Sequence, residues 1–162
     1  MAAIDVGPGA TDRDAYIAGG YTLIDLANSA NNTGKLTSIQ IYSESVEMTS
    51  VKVATFSGSG TDYTPRDVVS LANVPYGALV TRTVDASSDP ISLVVQAGDF
   101  LGIYFAEGRL ENDESGGSGV YYRVGDQTGG VQTYALATGY SISIYATGAT
   151  ISGTRIPIMM WG

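Results

Sequence analysis

Histidine and cysteine are both absent from the 162 residues of this chain. Without them there is no Ser-His-Asp triad, no cysteine nucleophile, no zinc site of the usual kind and no haem ligation through those residues. Disulfides are excluded as well, so the chain is tied to neither redox compartment. Positive charge is scarce: eight Lys and Arg stand against sixteen Asp and Glu, a net charge of −8. That balance argues against nucleic acid and against an anionic membrane as partners, because both are polyanions. Its plain reading is solubility. No stretch approaches the roughly 18 consecutive apolar residues of a membrane span. The opening Met1-Ala2-Ala3-Ile4-Asp5 lacks a basic region followed by an apolar run, so no secretory leader is expected.

What the chain does have is 21 glycines and 11 tyrosines. The tyrosines sit in short runs of alternating apolar and polar residues, such as Ser38-Ile39-Gln40-Ile41-Tyr42, and the glycines sit between the runs. This is the signature of strands that each bury one face. Strands are predicted near residues 3–6, 21–26, 34–43, 50–56, 67–74 and 79–84. Others are predicted near 91–95, 99–105, 119–124, 140–146 and 149–156. Ten or eleven short strands with turn signals between them predict an antiparallel β-sandwich, jelly-roll-like, in one domain over residues 1–162. Residues 91–95 and 100–105 are apolar on both faces. They are predicted to be neighbouring central strands joined by the turn Gln96-Ala97-Gly98-Asp99, with Gly98 at positive φ. Loops are expected at 57–66, 107–118 and 125–130.

Carboxylates and hydroxyls are the remaining candidates for chemistry. Glu111, Asp113 and Glu114 form the densest acidic cluster, beside Ser115-Gly116-Gly117. Oxygen ligands on a Gly-rich loop suit calcium. The spacing departs from the EF-hand pattern, and a solvated acidic loop is expected, with no cofactor. A glycosidase needs two opposed carboxylates, and Glu44 with Glu47 or Glu107 with Glu111 show no such pattern. The chain is therefore expected not to be an enzyme. Tyrosine rings stack on the apolar faces of sugars. Tyr121 and Tyr122 are adjacent, so on a strand they face opposite ways and one is available for a ligand. Tyr42, Tyr63, Tyr76, Tyr134 and Tyr145 are further candidates, although tyrosine is also an ordinary strand residue. Finally, Ile156, Pro157, Ile158, Met159, Met160 and Trp161 form an unusually apolar segment. It is expected to contact a neighbouring subunit, the alternative being a last strand of its own core.

Gly34 to Tyr42, Val53 to Phe56, Arg66-Asp67, Ile91 to Phe105, Gly108 to Glu111, Gly119 to Tyr122 and Gly125-Asp126 together carry a resemblance. Over about residues 4–147 the chain resembles small all-β proteins of tailed bacteriophages and prophages. The Ala-Gly-Asp turn is the most distinctive part, and it also recurs in unrelated jelly rolls. The resemblance implies a virion-associated role and nothing finer; together with the lack of catalytic groups, the expected function is a non-enzymatic structural component, as capsid decoration or a head or tail fibre module. A module of that kind must self-associate symmetrically, so homo-oligomers (a trimer or a lattice) and contacts with other virion proteins are expected, for a virion protein made in the host cytoplasm. The alternative is a carbohydrate- or host-receptor-binding module.

Overall fold

Alternation of side chains, not helical period, organises residues 2–151, which the computed structural model describes. Among them are fifteen strands: β1 (Ala3–Val6), β2 (Ala15–Ala18), β3 (Tyr21–Asp25), β4 (Gly34–Tyr42), β5 (Val51–Ser59), β6 (Asp62–Leu71), β7 (Leu79–Arg82), β8 (Leu93–Val95), β9 (Phe100–Tyr104), β10 (Arg109–Asp113), β11 (Val120–Val124), β12 (Gln132–Thr133), β13 (Ala135–Ala137), β14 (Ser141–Ile142) and β15 (Ile144–Ala149). All paired strands run antiparallel. The chain is an all-β sandwich, as the sequence predicts. One layer holds β1-β15-β4-β7, with β8 also on β4; the short sheet β14-β10-β2 extends it, and the opposite layer is β12-β6-β5-β9-β3-β11-β13.

That second layer is unusual because its outermost strands, β12 and β13, are consecutive in sequence. Gln132 pairs with Tyr63 of β6 at one end, and Ala135 pairs with Tyr122 of β11 at the other. The sheet therefore curls almost into a barrel, and its central strands β3, β5 and β9 bury both faces. Leu23, Val51, Val53, Leu101 and Ile103 face the main core between the layers. Ile24, Ala54, Phe56, Tyr63, Tyr121 and Tyr134 fill a second core inside the curl. Tyr63 packs its ring against Phe100, Tyr121 and Tyr134 with centroids 5.0–6.0 Å apart. Burial pushes the hydroxyls of Tyr63 and Tyr134 up to about 12.

Gly102 makes room for this second core. A Cβ there would overlap the Phe56 ring and lie 2.8 Å from the Leu23 carbonyl oxygen. The backbone of β3 cannot yield as a side chain would. Gly102→Ala is therefore expected to cost about 1–3 kcal/mol, the usual range for an overpacked core, measured as a lower urea midpoint at unchanged slope. An unchanged midpoint would show that the Phe56 ring moves freely.

Several expectations are corrected. Residues 91–95 and 100–105 are not neighbours: β8 pairs with β4, whereas β9 lies between β3 and β5 in the other layer. The turn between them crosses from layer to layer, with Gly98 at φ +90° as expected. Residues 57–66 are not a long loop but the end of the β5–β6 hairpin. Residues 107–118 contain β10, so the acidic cluster begins on a strand. The strand expected at 140–146 breaks at Ser143, whose N–H donates to the Glu111 carbonyl. The strands β2, β10, β12 and β13 exceed the expected number because their polar or alanine-rich sequences carry no apolar alternation. The strand expected at 149–156 has Ala149 as the last residue of β15, and its remainder is largely outside the described residues. Ile156, Pro157, Ile158, Met159, Met160 and Trp161, the expected subunit contact, also lie outside them.

Side chains seal two sheet edges that would otherwise pair with another chain. On β1, the Asn31 amide accepts from Asp5 N–H at 3.0 Å and donates to the Ala3 carbonyl at 3.3 Å. On β8, Val94 N–H donates to Asp67 at 2.8 Å while its carbonyl accepts from the Thr55 hydroxyl at 2.7 Å.

Candidate ligand-binding cleft

The short β2 sheet does not cover the whole main-core face of β3 and β11. Where cover ends, tyrosines replace aliphatic residues, which is the physical reason a cleft forms there: each ring packs its body inward and keeps its hydroxyl in water. The cleft has a volume of about 450 Å³. Ile17, Leu23 and Val120 contribute its apolar part, Tyr16, Tyr21, Tyr122 and Tyr140 its rings, and Glu114 its charge. Tyr122 stands edge-on to Tyr21, with centroids 6.3 Å apart and planes at 77°. Both rings come from paired strands, since Tyr21 lies opposite Val124 and Tyr122 opposite Leu23. Tyr16 is 45% exposed and Tyr122 39%. The Arg109 guanidinium lies 4.3 Å over the Tyr16 ring and fixes it by a cation–π contact.

A second depression of about 640 Å³ adjoins the first, because Tyr16 and Glu114 line both. Asp12, Arg13, Asp14, Glu44 and Glu111 complete its polar wall. Arg13 is its organising cation. Its guanidinium donates to Asp113 at 2.7 Å, to the Ser143 hydroxyl at 2.8 Å and to the Gly9 carbonyl at 3.0 Å. Its backbone N–H donates to Glu111 at 3.0 Å. Glu111 is only 3% exposed, and burial, with Asp12 and Glu44 as like-charged neighbours, raises its carboxyl above the usual range. Arg109 lies 3.9 Å from Glu44.

The residues singled out by sequence divide clearly. Tyr122 lines the cleft, while its neighbour Tyr121 is 8% exposed and belongs to the second core, so the expected alternation holds and selects Tyr122. Tyr63 and Tyr134 are core residues. The hydroxyl of Tyr42 donates to the Gly77 carbonyl, and that of Tyr145 to Asp5. Tyr76 is exposed but lines neither depression. Of the acidic cluster, Glu111 and Asp113 bind Arg13, and Glu114 is exposed at the junction of the two depressions. Among the described residues, no group of three or more acidic side chains is arranged to hold a metal ion. Of the four glutamates weighed as glycosidase candidates, Glu44 and Glu111 share a depression and Glu47 and Glu107 line neither. Sequence reading missed Tyr16, Tyr21 and Tyr140 as site residues, because only the pairing of β3 with β11, the pairing of β2 with β10 and the turn before β14 bring them to Tyr122. No protein-family model matches the chain, and no curated protein matches it.

Proposed function

We propose that the domain is a non-enzymatic recognition module of a bacteriophage particle, of the head or tail fibre kind, with the tyrosine cleft as its carbohydrate site. The cleft carries this reading: four rings line one opening, two of them well exposed. Arg109 covers one face of Tyr16, so the ring of Tyr122 is the main apolar surface on offer, with hydroxyls around it. Sugars present the matching combination of apolar C–H faces and hydroxyl rims. The virion setting rests on the resemblance alone. The lack of His and Cys, and a Glu111 held under the surface by its own chain, support a role without catalysis.

The test is a glycan array followed by calorimetry. Tyr122→Ala and Tyr21→Ala are expected to weaken the best glycan by at least about tenfold, the scale of a buried aromatic anchor. Tyr76→Ala should leave binding intact, and the bound oligosaccharide should be recovered at unchanged length. Absence of binding to every glycan would end the carbohydrate reading, and shortening of the oligosaccharide would end the non-enzymatic one.

A second reading, pure assembly as capsid decoration, is favoured by the exposed side chains of Val46, Tyr76 and Leu79 beside β7. It predicts a trimer or larger assembly in sedimentation that Tyr76→Ser with Leu79→Ser dissociates. A wild-type monomer, or an assembly indifferent to these changes, would remove it.

A further inference from the structure

The cleft also carries information about the charge of what it accepts. Glu114 is the one charged residue lining it, and no Lys or Arg does. Beyond Glu114 the adjoining depression is lined by four further carboxylates and one arginine, Arg13, and both Arg13 and the nearby Arg109 are already engaged. Arg13 is bound to Asp113, the Ser143 hydroxyl and the Gly9 carbonyl, and Arg109 lies over Tyr16 beside Glu44. Asp12 and Asp14 are exposed there and enter no ion pair among the described residues. Glu114 likewise has none. The whole chain adds a net charge of −8. An anionic ligand would meet repulsion with no basic group to receive it. A ligand with a protonated amine would find tyrosine faces, which attract cations, and free carboxylates within one continuous opening.

We propose that the cleft takes a glycan bearing free amino groups, a sugar face resting on Tyr122 with its rim against Tyr21, which stands edge-on to that ring, and an ammonium group directed past Tyr16 to Glu114 and the carboxylates beyond. This rests on the carbohydrate reading above and narrows it to one ligand class. A neutral sugar could use the rings and donate its hydroxyls to the carboxylates, but it would gain no charge attraction from the acidic depression. A uronic acid oligomer is excluded by charge.

The test compares three soluble oligomers of equal length by calorimetry: fully deacetylated glucosamine, its N-acetylated form and a uronic acid oligomer. Oligolysine serves as a fourth arm, and all are measured at a pH where the amines are protonated. The deacetylated oligomer is expected to bind about tenfold tighter than the acetylated one, the sum of a few exposed ion pairs. That ratio should shrink with added salt and fall in Glu114→Gln, an exposed position whose change leaves the core untouched. Binding of the acetylated form as tightly as the amine, at every salt concentration, would overturn the amine preference while leaving the carbohydrate reading in place. Binding of oligolysine as tight as the amino sugar would overturn the choice of a glycan. No binding in any arm would overturn both.

Discussion

Asp99→Ala is expected to lower the unfolding free energy by about 2–3 kcal/mol, the cost of removing charge-assisted hydrogen bonds from a half-buried ion pair and leaving a turn N–H unpaired. Asp99 is 2% exposed at the turn that crosses between layers. Its two oxygens receive the Arg66 guanidinium at 2.6 and 3.0 Å, and one of them also accepts from Gln96 N–H at 2.9 Å. Arg66 reaches it because of a bulge: Thr55 pairs with Asp67 and Phe56 with Pro65, so Arg66 is the extra residue, turned out of the ladder. Truncation would leave a guanidinium without its counter-ion and a turn N–H without its acceptor. The neighbouring Asp67 holds Val94 N–H of β8, so both residues of the Arg66-Asp67 pair join the curled sheet to the opposite layer. Urea denaturation reads the effect directly. Asp99→Asn keeps the shape and one acceptor, and should cost less than the alanine change. Equal, small losses for both would show that the pair contributes little.

Asp25 gives the second large effect, as a dependence on pH. It is fully buried, and one oxygen accepts from Ala27 N–H at 2.8 Å and the other from Ile142 N–H at 2.9 Å. The first bond holds the turn after β3, and the second clamps β3 to β14. Desolvation outweighs them and pushes the carboxyl up from 3.8 to about 6. A raised carboxyl holds its proton in the folded state at pH values where the unfolded chain has lost it. Folding is therefore favoured most below about pH 4, loses stability as pH rises toward 6, and levels off above. The span corresponds to about 3 kcal/mol. Other carboxylates titrate in the same range, and Asp126, bonded to Lys52 and Thr128, is shifted the opposite way. The comparison with Asp25→Asn isolates the contribution. Relative to that variant, the wild type should lose about 2 kcal/mol between pH 4 and pH 7. Parallel stability curves for the two proteins would refute the buried-charge account.

The two-residue period made the layered β architecture legible, and it correctly sent Tyr121 and Tyr122 to opposite faces. It also flagged Phe100 to Phe105 as buried on both sides. What it could not supply was the reason. An apolar run on both faces fits any central strand, and here it arises because the sheet curls around Phe56, Tyr63 and Tyr134. The segment Gln132 to Ala137 that closes the curl has no alternation to mark it. The same holds for Ala15 to Ala18 and for Arg109 to Asp113, whose polar sequence reads as loop. The cleft depends on all of these, so three of its tyrosines, at positions 16, 21 and 140, gave no local signal, and Tyr122 alone was singled out. Asp25 and Asp99 were equally silent, since a carboxylate's burial is set by partners far away in sequence.

The most direct measurement is a ring-proton NMR titration of tyrosine-labelled protein with an amino-sugar oligomer. Stacked sugar should shift the resonances of Tyr16, Tyr21, Tyr122 and Tyr140 together, with one common dissociation constant, while Tyr42, Tyr63, Tyr76 and Tyr145 stay in place. Shifts confined to Tyr76, or spread evenly over all the rings, would contradict a ligand site in this cleft.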